Sequence, residues 1–241
     1  RKHSIKLKVL DSTDQSWQPR GKQILNPYGV WYTAVTGIWQ TVWMEPVDPV
    51  HVRSYLAKSD IDSKKIDVSV DVDLAESDVC KVTLLDEGKV VCEKTGKEVS
   101  LDVPEMKLWS PDSPSLYDLE ISVVRGGKVI DKVKGYTAMR KISYERAENG
   151  HFSLMLNNEP LYQFGPLDQG WWPDGLYTAP SDEALMFDIV KAKEMGFNMI
   201  RKHVKVEPAR WYWHCDRLGM LVWQDMPSVT HGDNKWGNRA Y

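Results

Sequence analysis

The chain is poor in several features that would fix a function class at once. Its 241 residues contain no apolar stretch near the ~20 residues that a membrane-spanning helix needs. The net charge is −3 and there is no long basic run, so neither nucleic acid nor a membrane surface is expected as a partner. There are three cysteines, Cys80, Cys92 and Cys215. The first two flank a hairpin centred on Leu85-Asp86-Glu87-Gly88-Lys89. With Gly88 left-handed in a three-residue loop, Val82 faces Cys92 and Cys80 lies one diagonal away. That separation is too wide for a disulfide, so free, half-buried thiols are expected. No Cys/His spacing fits zinc, and neither metal nor cofactor is expected. No solenoid repeat is visible. No secretion signal opens the chain either: Arg1-Lys2-His3-Ser4-Ile5-Lys6-Leu7-Lys8-Val9 alternates like a strand. The chain is therefore expected to begin inside a domain, with its natural start upstream.

What is present is a sequence that can build cores. Hydrophobic residues make up 42% and there are eleven tryptophans, which fill cores and also stack on sugar faces. Three regions differ in pattern. Residues 1–46 read as strand-like runs, Ile5–Val9 and Thr41-Val42-Trp43-Met44, around a Gly- and aromatic-rich loop; the region is too short to hold a core alone. Residues 47–141 read as all-β. Ile66, Val68, Val70 and Val72 share one strand face, leaving Asp67, Asp71 and Asp73 on the solvated one, and hairpins are expected at Gly88 and at Gly126-Gly127. Short strands at this spacing argue a small β-sandwich of immunoglobulin-like size.

Residues 142–241 change character. Leu161-Tyr162-Gln163-Phe164-Gly165 reads as a strand, followed by the loop "PLDQGWWPDGLYTAP". Ser181 caps a helix with acids in its first turn, an apolar stripe at Leu185, Ile189 and Ala192, and Gly196 at its end. Asn198–Arg201 is a strand, Pro208 opens a helix that Gly219 ends, and Met220–Trp223 is a third strand. Right-handed crossovers make three such strands parallel neighbours, with functional groups at their carboxyl ends. Those ends carry Asp168, Arg201-Lys202-His203 and Gln224-Asp225. Three strands also leave an open parallel edge, so aggregation or homo-oligomerisation is expected.

Three stretches, "TGIWQTVWMEPV" (36–47), "LWSPDSPSLYDLEISV" (108–123) with "GYTAMRKISY" (135–144), and "GFNMIRKHVKVEPARWYWHCDRLGMLVWQDMP" (196–227), resemble glycoside hydrolase family 2 in the family's order. The resemblance implies the end of a sugar-binding jelly-roll β-sandwich over 1–46, an immunoglobulin-like β-sandwich over 47–141, and the first three strands of a (β/α)8 TIM barrel over 142–241. It implies a retaining exo-β-glycosidase acting on an oligosaccharide or glycoside, β-galactosidase-like or β-glucuronidase-like, with the parent protein periplasmic or extracellular. In the family the acid/base and nucleophile are glutamates after strands four and seven, so neither catalytic residue is expected in this chain, and the chain alone should be inert. Asn158-Glu159 is a tight turn and no catalytic pair. "GVWYTAVTGIW" (29–39) lacks the acid that β-galactosidases carry nearby, so the resemblance does not choose galactose.

Five residues are candidates for sugar contact. The resemblance makes His203 a holder of sugar hydroxyls; a structural histidine bonded to a carboxylate is the other reading. Arg201 either donates to a sugar or braces the sheet against Asp225, and both can hold at once. Asp225 suits two hydroxyl hydrogen bonds. Trp223 is a sugar platform or core filler. Asp168, in the loop with Trp171 and Trp172, is expected to touch substrate. Lys202 points the other way by strand parity, towards the helices, and Trp211 and Trp213, two apart on a helix, are expected to pack. A rival reading from another class is a non-catalytic carbohydrate-binding or scaffold β-sandwich protein. An Asn-Glu pair at the end of a fourth strand beyond Tyr241 separates the two.

Overall fold

The computed structural model describes residues 3–148 and 150–228. They fall into two compact units: Trp43–Gln163 with Asp216–Gly219, and a second made of the chain up to Val42, Phe164–Cys215 and the residues from Met220 onward.

In the first segment of the second unit, β1 (Gln23–Ile24) and β2 (Tyr32–Thr33) pair in parallel. The expected strands Ile5–Val9 and Thr41–Met44 do not form. Among the described residues neither run has a strand beside it, and Ile5, Leu7, Trp43 and Met44 stay exposed. Alternation favours a strand only where a ladder is on offer.

The other unit is built on seven strands: β3 (Ser54–Asp60), β4 (Lys65–Asp71), β5 (Asp78–Asp86), β6 (Lys89–Thr95), β7 (Glu98–Asp102), β8 (Tyr117–Arg125) and β9 (Lys128–Thr137). They form two antiparallel sheets, ordered β3-β4-β7 and β6-β5-β8-β9. Ile66, Val68, Val70 and Val72 are buried as parity requires, in one core with Val82, Leu84, Leu119 and Ile121. Asp67, Asp71 and Asp73 are exposed, and Arg53 pairs with the last two. The two long hairpins are built alike. Glu87-Gly88 (φ 49° and 78°) and Gly126-Gly127 (54° and 79°) are two-residue turns with both residues left-handed, and a bulge follows each. The Gly88 turn is therefore shorter than the three-residue loop expected from its sequence. Its bulge then sets Leu84, and not Val82, opposite Cys92. None of the three cysteines is in a disulfide; Cys80 and Cys215 are fully buried and Cys92 half-buried.

This unit also holds β10 (Ile142–Arg146), β11 (Phe152–Leu156) and β12 (Glu159–Pro160), an antiparallel trio. Asn157 and Asn158, at φ 55° and 70°, make the turn before Glu159. The Asn157 amide holds it by donating to the Trp109 carbonyl and accepting from Lys141 N–H. Asn158 thus lies in a tight turn, as its sequence predicts, and Glu159 opens β12 directly after it.

The remaining elements are β13 (Leu167–Asp168), α1 (Asp182–Glu194), β14 (Met199–Lys202), α2 (Ala209–Leu218) and β15 (Leu221–Gln224). The strands are parallel and lie in the order β13-β14-β15. The first lies later than Leu161–Gly165. Pro166 has no N–H to give the ladder, while Gly165 passes so close to the Met199 carbonyl that a Cβ would land on it. Ser181 Oγ accepts from Ala184 N–H, and Leu185, Ile189 and Ala192 are buried. Gly196 (φ 87°) closes α1: its N–H bonds Lys193 O and that of Phe197 bonds Ala192 O. Gly219 (φ 75°) closes α2 in the same way, Met220 N–H reaching Cys215 O.

Candidate functional site

The parallel register sorts the charged groups. Leu167, Arg201 and Trp223 stand side by side in the ladder, and so do Asp168, Lys202 and Gln224. Successive residues alternate faces, so the first row lies on one side of the sheet and the second on the other. Arg201 and Trp223 are exposed, whereas Lys202 is 1% exposed.

On the Arg201 side three predicted residues meet. Arg201 grips Asp225 with Nε and Nη2, at 2.9 Å for Nη2 to Oδ2, and His203 Nδ1 lies 2.7 Å from the same oxygen. Burial pushes the Asp225 carboxyl up, but the hydrogen bonds from Arg201 and His203 outweigh it and hold the group below the ordinary carboxylate range. With Asp225 ionised, Nδ1–H donates to its oxygen, and the other ring nitrogen, Nε2, is an acceptor in the neutral ring and a donor in the charged one. Arg201 Nη1 takes no part in the grip. Trp223, 44% exposed, stands beside Arg201 in the ladder. This edge therefore offers a fixed carboxylate, a cationic donor, an imidazole and an indole face. Such a set can hold a hydroxylated ring: polar groups bond hydroxyls while an aromatic plane covers C–H surface.

Asp168 is not part of this group. Its Oδ2 takes a 2.6 Å bond from Lys202 Nζ and its Oδ1 accepts from Gly170 N–H at 2.7 Å. Lys202 also donates to Glu207 Oε1 at 3.0 Å and lies 4.2 Å from the Trp211 ring centre. Glu207 receives a second ammonium, Lys205, at 3.1 Å. Two carboxylates and two ammonium groups thus balance in a nearly dry cluster, where an unpaired charge would be very costly. Burial lowers the pKa of Lys205, against the pull of Glu207. Lys202 points away from Arg201 and His203, as parity predicts, and ends in this ionic knot and on the ring of Trp211.

Sequence reasoning missed Lys205 and Glu207. They are buried, while Val206 between them is half-open. In an extended segment, charges two apart share a face, and nothing in their spacing tells a solvated face from a paired, buried one. The one available signal was their balance of sign with Lys202 and Asp168.

The loop after β13 lies across these groups. Trp171 stacks on Tyr32 (4.4 Å between ring centres, 11° between planes), and Tyr177 sets its edge against Trp171 and Trp39. Burial, then the nearby Glu207 charge, pushes the Tyr177 hydroxyl up to about 12. Tyr32, Gln169, Trp171, Tyr177 and His203 line one narrow pocket. Trp211 is buried and Trp213 half-buried on α2, consistent with packing. No group of three or more His, Cys, Asp or Glu among the described residues is arranged to hold a metal ion.

Comparison with known proteins agrees with this architecture. Residues 48–140 match the family described as Glycosyl hydrolases family 2. A β-galactosidase of Thermoanaerobacter pseudethanolicus is 23% identical over 237 residues, covering 87% of this chain and 30% of the relative. A putative β-glucuronidase of Formosa agariphila is 29% identical over 234 residues, covering 90% of this chain and 22% of the relative. The chain thus spans under a third of the length of these relatives. Among solved structures, β-glucuronidase of Ruminococcus gnavus in complex with C6-substituted uronic isofagomine superposes with a TM-score of 0.67 at 23% identity, over 75% of this chain and 30% of that one. The matched β-domain is thus followed by a parallel strand–helix array, and the chain is similar along most of its length to β-galactosidases and β-glucuronidases.

Proposed function

We propose that the chain carries part of the sugar site of a retaining exo-β-glycosidase that hydrolyses O-glycosidic bonds of a β-linked glycoside. On this reading residues 1–46 end a jelly-roll domain, 47–141 are an immunoglobulin-like sandwich, and 142–241 begin a (β/α)8 barrel. Retaining hydrolysis needs two carboxyl groups about 5–5.5 Å apart, one as nucleophile and one as acid/base. The Arg201–Asp225–His203 group does not meet that demand. Its single carboxylate is tied to two nitrogen donors, which suits holding hydroxyls and not attack at an anomeric carbon. The reaction's carboxylates accordingly come from strands later in the barrel, and the duty of this edge is orientation. Rigid, pre-paired donors and acceptors fix the ring without reorganising, so binding energy is available to distort it towards the transition state.

The observation that carries the proposal is that Asp225 joins Arg201 and His203 at the carboxyl ends of two neighbouring parallel strands, beside Trp223. Arg201, His203, Trp223 and Asp225 are assigned to the saccharide. Asp168 is assigned to the loop, since its carboxylate is 13% exposed and tied to buried Lys202 and to the loop's own Gly170 N–H. The test compares the 241-residue chain with the full-length protein on 4-nitrophenyl β-galactoside, β-glucuronide and β-mannoside. The short chain should be inert, and its turnover of any of them would falsify the division of labour. In the longer protein Asp225→Asn should lower kcat/KM roughly 10- to 100-fold, the worth of hydrogen bonds to a charged group. An unchanged kcat/KM removes Asp225 from the site.

A further inference from the structure

We propose that Lys205 is a positioning residue: its ammonium clips together both ends of the loop Gly170–Tyr177 and thereby holds Trp171 and Tyr177 as a wall beside His203. The assignment of that wall to a sugar rests on the function proposed above; the clip itself does not.

An ammonium has three N–H donors. Those of Lys205 have three partners within reach: Gly170 O at 2.6 Å, Tyr177 O at 2.8 Å and Glu207 Oε1 at 3.1 Å. The two carbonyls stand at opposite ends of the loop, so a single buried side chain closes it. With two donors on the loop carbonyls, its charge paired with Glu207 and its side chain 2% exposed, Lys205 acts through what it holds. The loop between the two ends is itself cross-tied, with Trp172 N–H to Leu176 O (2.7 Å) and Leu176 N–H to Trp172 O (3.0 Å). It therefore moves as a body, and its position depends on its ends. Around the clip, Lys22 Nζ holds Gln169 at 2.8 Å and the Lys205 ammonium lies 4.4 Å from the Tyr177 ring centre. Gly170 leaves no slack. At φ 60° it passes so close that a Cβ would press on Glu207 Oε1 and Lys205 Nζ. The wall reaches the candidate site because Trp171, Tyr177 and His203 line the same pocket.

The first readout is amide hydrogen exchange of residues 170–177 in the 241-residue chain. In Lys205→Met these amides should exchange about tenfold faster or more, the scale expected when hydrogen bonds to a charged group are lost. Amides of the β-sandwich should be unchanged. Gly170→Ala is the second variant. It keeps every charge, displaces the same loop end, and should give the same local pattern even if Lys205→Met does not fold. Unaltered exchange at 170–177 in Gly170→Ala and in any folded Lys205→Met overturns the clip. The second readout, in the full-length protein, is the split between KM and kcat on a β-glycoside. Either variant should raise KM about tenfold with a smaller change in kcat, because loosening a wall removes binding made equally in ground and transition states. Faster exchange with KM unchanged overturns the wall's role at the site. Failure of the unaltered full-length protein to turn over any β-glycoside overturns the function proposed above, and the exchange data then judge the clip alone.

Discussion

Strand β4 of the sandwich and strand β14 of the α/β unit run seven and four residues; β4 hides one face, and β14 hides every position but Arg201. In β4 the hidden positions are Ile66, Val68 and Val70, and the charges between them meet water. In β14 the hidden positions include Lys202. Strand β4 thus separates apolar from charged residues by parity, whereas β14 buries charge and must satisfy it by geometry. The consequence lies in what each unit tolerates. An apolar core loses stability in proportion to the volume removed. A buried ion cluster is held together by complementarity, and removing one member leaves the others stranded.

The sharpest way to break this comparison is to cut each core once. Leu119→Ala in the centre of β8, at a fully buried position, should cost roughly 2–5 kcal/mol in denaturant unfolding of the sandwich. Strand-end geometry at Arg201 and Asp225 should survive as long as the α/β unit stays folded. A cost within experimental error at Leu119 would mean the sandwich core is not the tightly packed one described.

The next largest effect belongs to Glu207→Gln. The carboxylate is 3% exposed and bridges two ammonium groups. The amide keeps its shape but not its charge, so Lys202 shares only Asp168 and Lys205 loses its anion. Breaking a buried pair from one side costs about 3–5 kcal/mol, and the loss should appear in the α/β unit while the sandwich unfolds as before. Replacing all four members of the cluster by apolar residues should be far less damaging than this single change. If instead the single and the fourfold replacements cost the same, the cluster is not acting as a charge-balanced unit.

The same contrast explains what could be read from the residues in advance. The β4 face, the Ser181 cap and the closing glycines at 196 and 219 follow from periods and backbone preferences that act within a few residues. So does the gathering of Arg201, His203 and Asp225, because a parallel register puts strand ends together whatever the side chains. The misplaced first strand and the missed Lys205–Glu207 cluster depend on long-range partners. Pro166 decides where β13 can pair only because Met199–Lys202 lies beside it. Glu207 is buried only because two lysines reach it. Likewise the alternating run Ile5–Val9 and the strand-like run Thr41–Met44 had, among the described residues, no neighbour to pair with. Asp168, expected to touch substrate, is bound to Lys202 and Gly170 and not to the Arg201 group.

The smallest effect expected is an acid one at the pairing of α1 with α2. Asp182, in the first turn of α1, accepts from Arg210 and from His214 Nε2 at 3.0 Å. The Arg210 hydrogen bonds, then that of His214, hold its carboxyl well below its ordinary value of 3.8. A carboxyl whose folded pKa lies below its unfolded one adds stability that is fully present above the unfolded value and is lost as pH falls through the folded one. Near-ultraviolet circular dichroism, which reports tryptophan packing, should therefore weaken in the α/β unit below about pH 4. The sandwich has depressed carboxyls too: Asp71 and Asp73 sit exposed around Arg53, where water and salt screen them, and buried Asp78 is held down by Arg125. Asp182→Asn should flatten the acid limb of the α/β signal, and added salt should do so in part, since Asp182 itself is partly exposed. An acid limb unchanged by the substitution would assign the loss to Asp225, whose carboxyl is depressed by Arg201 and His203, and would place the acid-labile joint at the strand ends instead of between the helices.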